Sequence, residues 1–225
     1  MLTGGLRPPV PWPAVLPRPH WHCIVPRRGR PTKGSNVVAN RSQQLASVQQ
    51  RVALVLILVG AIWTVEIVNW SLAHGLNRFG ILPRTAHGLI GIVAAPFLHA
   101  NPAHAASNTL PLLVLGWLVS LHGRERFLRV AICVTLGTGI AVWLFARGAY
   151  HVGASSLVFG LFGYIVGRAW YERSLGAIAS ALGAVLLYGG LVFGVFPARQ
   201  VSFESHLFGL IVGIAFARLD VRQRR

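Results

Sequence analysis

From residue 51 onward, long apolar runs alternate with short polar breaks. Six runs stand out, at roughly 52–72, 103–121, 127–146, 155–170, 176–196 and 203–219. Most reach the ~20 residues a helix needs to cross the hydrocarbon core of a bilayer. The fourth and sixth are shorter. A seventh piece, GLIGIVAAPFL at 88–98, is too short to cross and contains Pro96, so an interfacial or re-entrant segment is expected there. The pattern predicts an all-α membrane protein with six transmembrane helices over residues 51–219 and a re-entrant or interfacial first outer loop. Residues 1–50 show no such period and are rich in Pro and Arg. They are expected to be a disordered basic tail, or the product of a mis-assigned start, and they lack the apolar stretch of a signal peptide. Residues 220–225 read as a short basic tail.

Composition supports this division. Hydrophobic residues make up 54% of the chain and charged residues 12%, against about a quarter charged in soluble domains. The formal net charge is +16, with Glu66, Glu125, Glu172, Glu204 and Asp220 the only acids. So apolar a chain fits a lipid bilayer and not a nucleic-acid partner. Cys23 lies in the tail and Cys133 in an apolar run, which argues against a disulfide framework. With six spans both termini share one side. That side carries most of the arginines, while the other carries only Arg78, Arg84, Arg147 and Arg199. The excess of positive charge puts both termini in the cytoplasm of a multi-pass protein, expected in a bacterial inner membrane. Anionic lipid would meet those basic faces, as at any inner leaflet.

Against this apolar background a few polar residues stand out. The second, fourth and sixth spans all run from outside to inside, and their first turns carry His104 and Asn108, then Ser155, then His206. Topology sets these four at a similar depth near the outer surface. His104 and Asn108 are four apart and share a helix face, and Asn101-Pro102 suits the start of that helix. Ser156, Gly160, Gly163 and Gly167 form a small-residue stripe on the fourth span, and Ser205, Gly209 and Gly213 another on the sixth. Such stripes let helices approach closely, which could bring Ser155 within reach of His206 as nucleophile and general base. Taken alone, Ser155 reads better as a packing residue, and His104 or His206 equally well as a structural hydrogen-bonder. Their convergence on one depth is harder to dismiss. Glu66 is expected to bond a neighbouring loop or helix. His74, His87, His99 and His151 are expected at the interface, and Glu204 is placed too far round the helix to serve as a third catalytic member.

Other hydrolytic chemistries lack their residues. HExxH is absent, so a zinc peptidase of that type has no basis. The single Asp cannot form an aspartyl pair. His99 and His104 have no carboxylate or Cys companions, and neither metal nor cofactor is expected.

The residues that remain resemble the rhomboid family of intramembrane serine proteases. The motifs are HANPAHAASN on the second span, GASS on the fourth and HLFGLIVG on the sixth, in that order, within residues 52–219. The resemblance implies a rhomboid-type bundle, with Ser155 as nucleophile and His206 as general base in a dyad without a carboxylate. His104, Asn108 and the backbone N–H of Ser155 would form the oxyanion hole. It implies a structural role for His99, a tight loop at Gly153, and an aromatic at Phe159 packed on the histidine ring. The fifth span and the following GVFPARQ would be the movable cover through which a transmembrane protein substrate enters. The Trp-Arg pair that many rhomboids carry before the first motif histidine is absent, and Ser205 stands where Ala is common. A pseudoprotease that binds transmembrane helices without cutting them is the alternative. A small transporter is disfavoured, because the polar groups lie at the outer ends of the spans rather than near the midplane.

Overall fold

The computed structural model describes residues 33–197 and 202–223. The chain divides into two units, residues 1–39 and 40–225, and the second holds the bundle. The α-helices among the described residues are α1 (Lys33–Ser71), α2 (Gly91–Ala94), α3 (Pro102–Ser120), α4 (Arg124–Phe145), α5 (Ser155–Glu172), α6 (Leu175–Tyr188) and α7 (Phe203–Arg222). Six of these fall on the six expected spans. The extra one, α2, is a four-residue turn within the expected short segment, where 3₁₀ turns flank it over His87–Phe97. α1 begins at Lys33, inside the stretch read as tail; residues 1–32 of that tail lie outside the described residues. The apolar segments Gln49–Ser71, Arg124–Phe145 and Leu175–Val195 are each long and apolar enough to cross a bilayer.

The shorter fourth span is the centre of the bundle. Twelve of the residues of α5 are buried, on all sides of the helix, from Ser155 to Arg168. A helix that is buried all round lies inside protein rather than facing lipid. α5 packs most intimately on α7, through the two small-residue stripes. A Cβ at Gly209 or Gly213 would overlap the carbonyl oxygens of Ser156 and Gly160, and one at Gly163 would lie 2.5 Å from the carbonyl of Leu210. Gly160 also accommodates Val134 of α4. Without a hydrophobic drive between helices in lipid, this close backbone contact supplies the association. By contrast α6 buries only Ala177 and Ala184 and exposes Leu175, Leu182, Leu186 and Leu187.

An ionic cluster closes the end of the bundle away from Ser155. Asp220 of α7, 2% exposed, accepts a hydrogen bond from the Tyr164 hydroxyl (2.8 Å) and pairs with Arg126 (3.3 Å) and Arg129 (3.6 Å) of α4. Arg168 of α5 grips Glu172, which also accepts from Ser174. A carboxylate this deep is tolerated only when so fully partnered.

The outer loop between α1 and α3 has no Trp-Arg pair of its own, yet it is anchored by a tryptophan and an arginine. The Arg84 guanidinium donates to the carbonyls of Leu144 (3.2 Å) and Ala146 (2.8 Å) at the end of α4, and Trp143 Nε1 donates to the Thr85 carbonyl (2.8 Å). An isolated antiparallel bridge, Ile81 to His151, ties the same loop to the segment entering α5. Fully buried Asn69, at the end of α1, donates to Asn77 and to the carbonyl of His99.

Candidate active site

Three helix starts and the segment after α6 meet around one cavity of about 760 Å³. Its lining includes His104 and Asn108 from α3, Ser155 and Phe159 from α5, Gly194, and His206 from α7. Each position follows from local chemistry. Asn101 caps α3, its side chain accepting from the backbone N–H of His104 (2.8 Å), and Pro102 occupies the first turn. That starts α3 where His104 and Asn108 both face the cavity. Asn108 is buried, and its Nδ2 has no hydrogen-bond partner among the described residues. An amide donor left unpaired in a protein interior costs free energy. It is also a donor already aimed at whatever enters.

Ser155 is the first residue of α5 and is 7% exposed. At that position its backbone N–H has no acceptor within its own helix. The chain reaches Ser155 through Gly153, whose φ of +122° side chains rarely adopt. Space as well as conformation requires glycine there. A Cβ would lie 2.7 Å from Cε1 and 3.0 Å from Nε2 of His104, and 3.6 Å from Ser155 Oγ. The His104 ring and the serine hydroxyl therefore flank a common point.

His99, fully buried, holds that turn in place. The backbone N–H of Ala154 donates to its Nε2 (3.2 Å), and the N–H of Gly153 donates to the Ala95 carbonyl (2.9 Å). Burial, and after it the nearness of His104, push the His99 imidazole down to about 4, against a weaker opposing hydrogen bond to the Phe97 backbone. A neutral ring is what an acceptor Nε2 requires. The ring also meets His104 edge to face, with centroids 5.1 Å apart.

His206 is held on two sides. Phe159 stacks flat on its ring, with centroids 4.2 Å apart and planes 8° apart. Its Nδ1 lies 2.8 Å from the Gly194 carbonyl. A carbonyl can only accept, so Nδ1 carries the proton and Nε2 carries the lone pair. Ser155 and His206 line the same cavity without a direct hydrogen bond between them. Catalytic hydrogen bonds are often long before substrate binds.

A second polar chain, which sequence reasoning missed, joins the loop before Ser155 to the start of α7. His151 Nε2 donates to the Arg147 carbonyl (3.1 Å), and Nδ1 accepts from the Ser202 hydroxyl (2.5 Å), which in turn bonds Ser205 (2.6 Å). His151, expected at the interface, is 2% exposed. Burial lowers its pKa, which keeps Nδ1 an acceptor. Glu204 pairs with Arg147 at 3.4 Å. Glu66 meets His74 at 3.2 Å, bonding the neighbouring loop, and His87 bonds the Arg78 carbonyl. The signal for Gly194 was absent from the sequence, because a backbone carbonyl leaves no mark on residue type. Part of the loop after it, residues 198–201, lies outside the described residues.

The family model described as Rhomboid domain matches residues 86–223. An uncharacterized protein of Mycobacterium leprae is 35% identical over 183 residues, covering 73% of this chain and 69% of its own. One from Mycobacterium tuberculosis is 33% identical over 175 residues, covering 73% of each chain. Rhomboid-like protein 11, chloroplastic, of Arabidopsis thaliana is 30% identical over 146 residues, covering 56% of this chain and 51% of its own.

Proposed function

Since the chain belongs to the rhomboid family, we propose that it is an intramembrane serine endopeptidase that cleaves transmembrane protein substrates in or near the bilayer. The observation that carries the reading is the convergence of Ser155, His206, His104 and Asn108 on one cavity, with Asn108 Nδ2 unpartnered. In this mechanism Ser155 Oγ attacks the scissile carbonyl carbon and its proton passes to His206 Nε2. The proton held on Nδ1 by Gly194 keeps that lone pair available, and the Phe159 face keeps the ring from turning. The carbonyl oxygen, now an oxyanion, accepts from Asn108 Nδ2, the His104 ring and the Ser155 N–H. Collapse expels the amine, which takes the proton from His206 and leaves an acyl-serine. Water, activated by the same base, hydrolyses the ester and restores Ser155. The Gly194 carbonyl takes the orienting role that a carboxylate has in a three-member site.

In this reading both termini lie in the cytoplasm and the cavity opens at the outer face, which the excess of positive charge on the terminal side supports. The test is labelling of purified protein with a fluorophosphonate probe, beside cleavage of a reporter transmembrane substrate. Wild type labels and cleaves, whereas Ser155→Ala and His206→Ala do neither. Full cleavage by either variant refutes the dyad.

A further inference from the structure

Of the three acids at the end of the bundle away from Ser155, Asp220 and Glu172 are already partnered, and Glu125, in the first turn of α4, pairs with neither arginine of α7 among the described residues. Asp220 is held by Tyr164, Arg126 and Arg129, and Glu172 by Arg168 and Ser174. Arg218 and Arg222 of α7 are exposed and have no acid partner among the described residues. They lie four apart, on one helix face. Together with Tyr171 of α5 and Val221, they line a cleft of about 290 Å³. Val221, 8% exposed, is its apolar floor.

We propose that this cleft is a seat for a phosphate, supplied by the headgroup of an anionic phospholipid. Guanidinium groups match phosphate oxygens in paired hydrogen bonds and are the usual choice for such recognition. Two of them, neither paired with a carboxylate among the described residues, form a site for a ligand that brings its own negative charge. The surroundings select a lipid over a soluble phosphate. Exposed Ile211 and Leu219 run along α7 toward the same arginines, giving an acyl chain an apolar track. Trp170, 72% exposed, stands beside Tyr171 at the end of α5. Such aromatic pairs mark the depth at which headgroups lie.

The test is native mass spectrometry of the full chain in detergent, with dioctanoyl phosphatidylglycerol, dioctanoyl phosphatidylcholine or sodium phosphate. The phosphatidylglycerol is retained preferentially. Arg218→Gln/Arg222→Gln weakens its binding by about tenfold or more, the effect of losing charge-assisted hydrogen bonds. Arg218→Lys/Arg222→Lys, which keeps the charge but not the fork, falls between. Arg124→Gln, at the same end of the bundle, changes nothing. Unaltered binding by the double Gln variant, or an equal loss in Arg124→Gln, overturns the seat. So does equal retention of the two lipids. Displacement of the lipid by sodium phosphate supports the phosphate site but reassigns its source to a soluble anion. Binding is read without proteolysis, so these outcomes stand apart from the fate of the Ser155 reading.

Discussion

Replacing Gly194 by Ala tests whether a backbone carbonyl orients the base. A Cβ at this position would lie 2.7 Å from Phe159 Cζ and 3.1 Å from His206 Nδ1. The Phe159 ring is buried against His206, so the 3₁₀ segment Gly189–Val195 must give way instead. Its displacement lengthens the 2.8 Å contact from Nδ1 to the Gly194 carbonyl. The direct energetic loss is about 1 kcal/mol, that of an ordinary hydrogen bond. The catalytic loss is larger, because without that acceptor the proton can settle on Nε2 and the ring no longer presents a lone pair to Ser155. General base catalysis contributes about 10²–10⁴ in rate, so a part-time base should lower kcat by roughly 10- to 100-fold. KM should move little, since no contact to substrate is removed. Gly190→Ala, in the same segment, is the control: its Cβ meets no atom within 4 Å, and kcat should stay within about twofold. The assay is steady-state cleavage of a fluorogenic transmembrane peptide in proteoliposomes. A kcat for Gly194→Ala equal to that of Gly190→Ala would refute the orienting role.

Asn108→Ala should reduce kcat by about 10²–10³ as an oxyanion donor is lost. Thermal stability should hold or rise, since the variant removes a buried, unpartnered amide; a fall in both would mark Asn108 as structural. Arg84→Ala removes two hydrogen bonds between the outer loop and the end of α4. Differential scanning fluorimetry should show a loss of about 1–3 kcal/mol, and an unchanged melting temperature would show that Trp143 and the Ile81–His151 bridge anchor the loop without it. Stability should also depend on pH through His99. Its folded pKa of about 4 lies below the ordinary 6.5, so unfolded chains bind a proton first as pH falls. The contribution is complete above about pH 6.5, drains between there and pH 4, and amounts to about 3 kcal/mol. His99→Gln should flatten that part of the stability profile, and a slope equal to wild type would assign the effect elsewhere.

The spans were legible because lipid imposes one simple demand, a run of apolar residues about 20 long. The depth of Ser155, His206, His104 and Asn108 followed from direction of travel alone. Asn101-Pro102 announced its cap because capping chemistry is local. What escaped notice were pairings across distance in the chain. Trp143 and Arg84 anchor the outer loop from positions 59 residues apart in backbone terms only by folding, as their hydrogen bonds to Thr85 and Ala146 show. His151 read as an interfacial loop residue, and nothing local announced its bond to Ser202, 51 residues on. Gly194 acts through its carbonyl, which every residue possesses. The sequence motifs therefore point to the groups that would react, and much less to those that hold them still.

The distribution of packing gives that division a physical consequence. Ser155, His104 and Asn108 start from helices locked into the bundle, above all α5, whose glycine contact with α7 leaves no room for adjustment. The ionic cluster around Asp220 fixes the far ends of α4, α5 and α7. α6 is different, with only Ala177 and Ala184 buried and a long 3.5 Å hydrogen bond from the Tyr188 hydroxyl to Leu110 of α3. Elements with few buried contacts open at the lowest free-energy cost. The carbonyl that orients His206 follows directly on this helix, at Gly194. A substrate that enters by displacing α6 would therefore loosen the base as it arrives, and restoring the Gly194 bond would re-form it around the bound peptide. On the proposed reading, Ser155, His104 and Asn108 stay on the rigid helices, and the orientation of His206 is the part of the described site that responds to substrate.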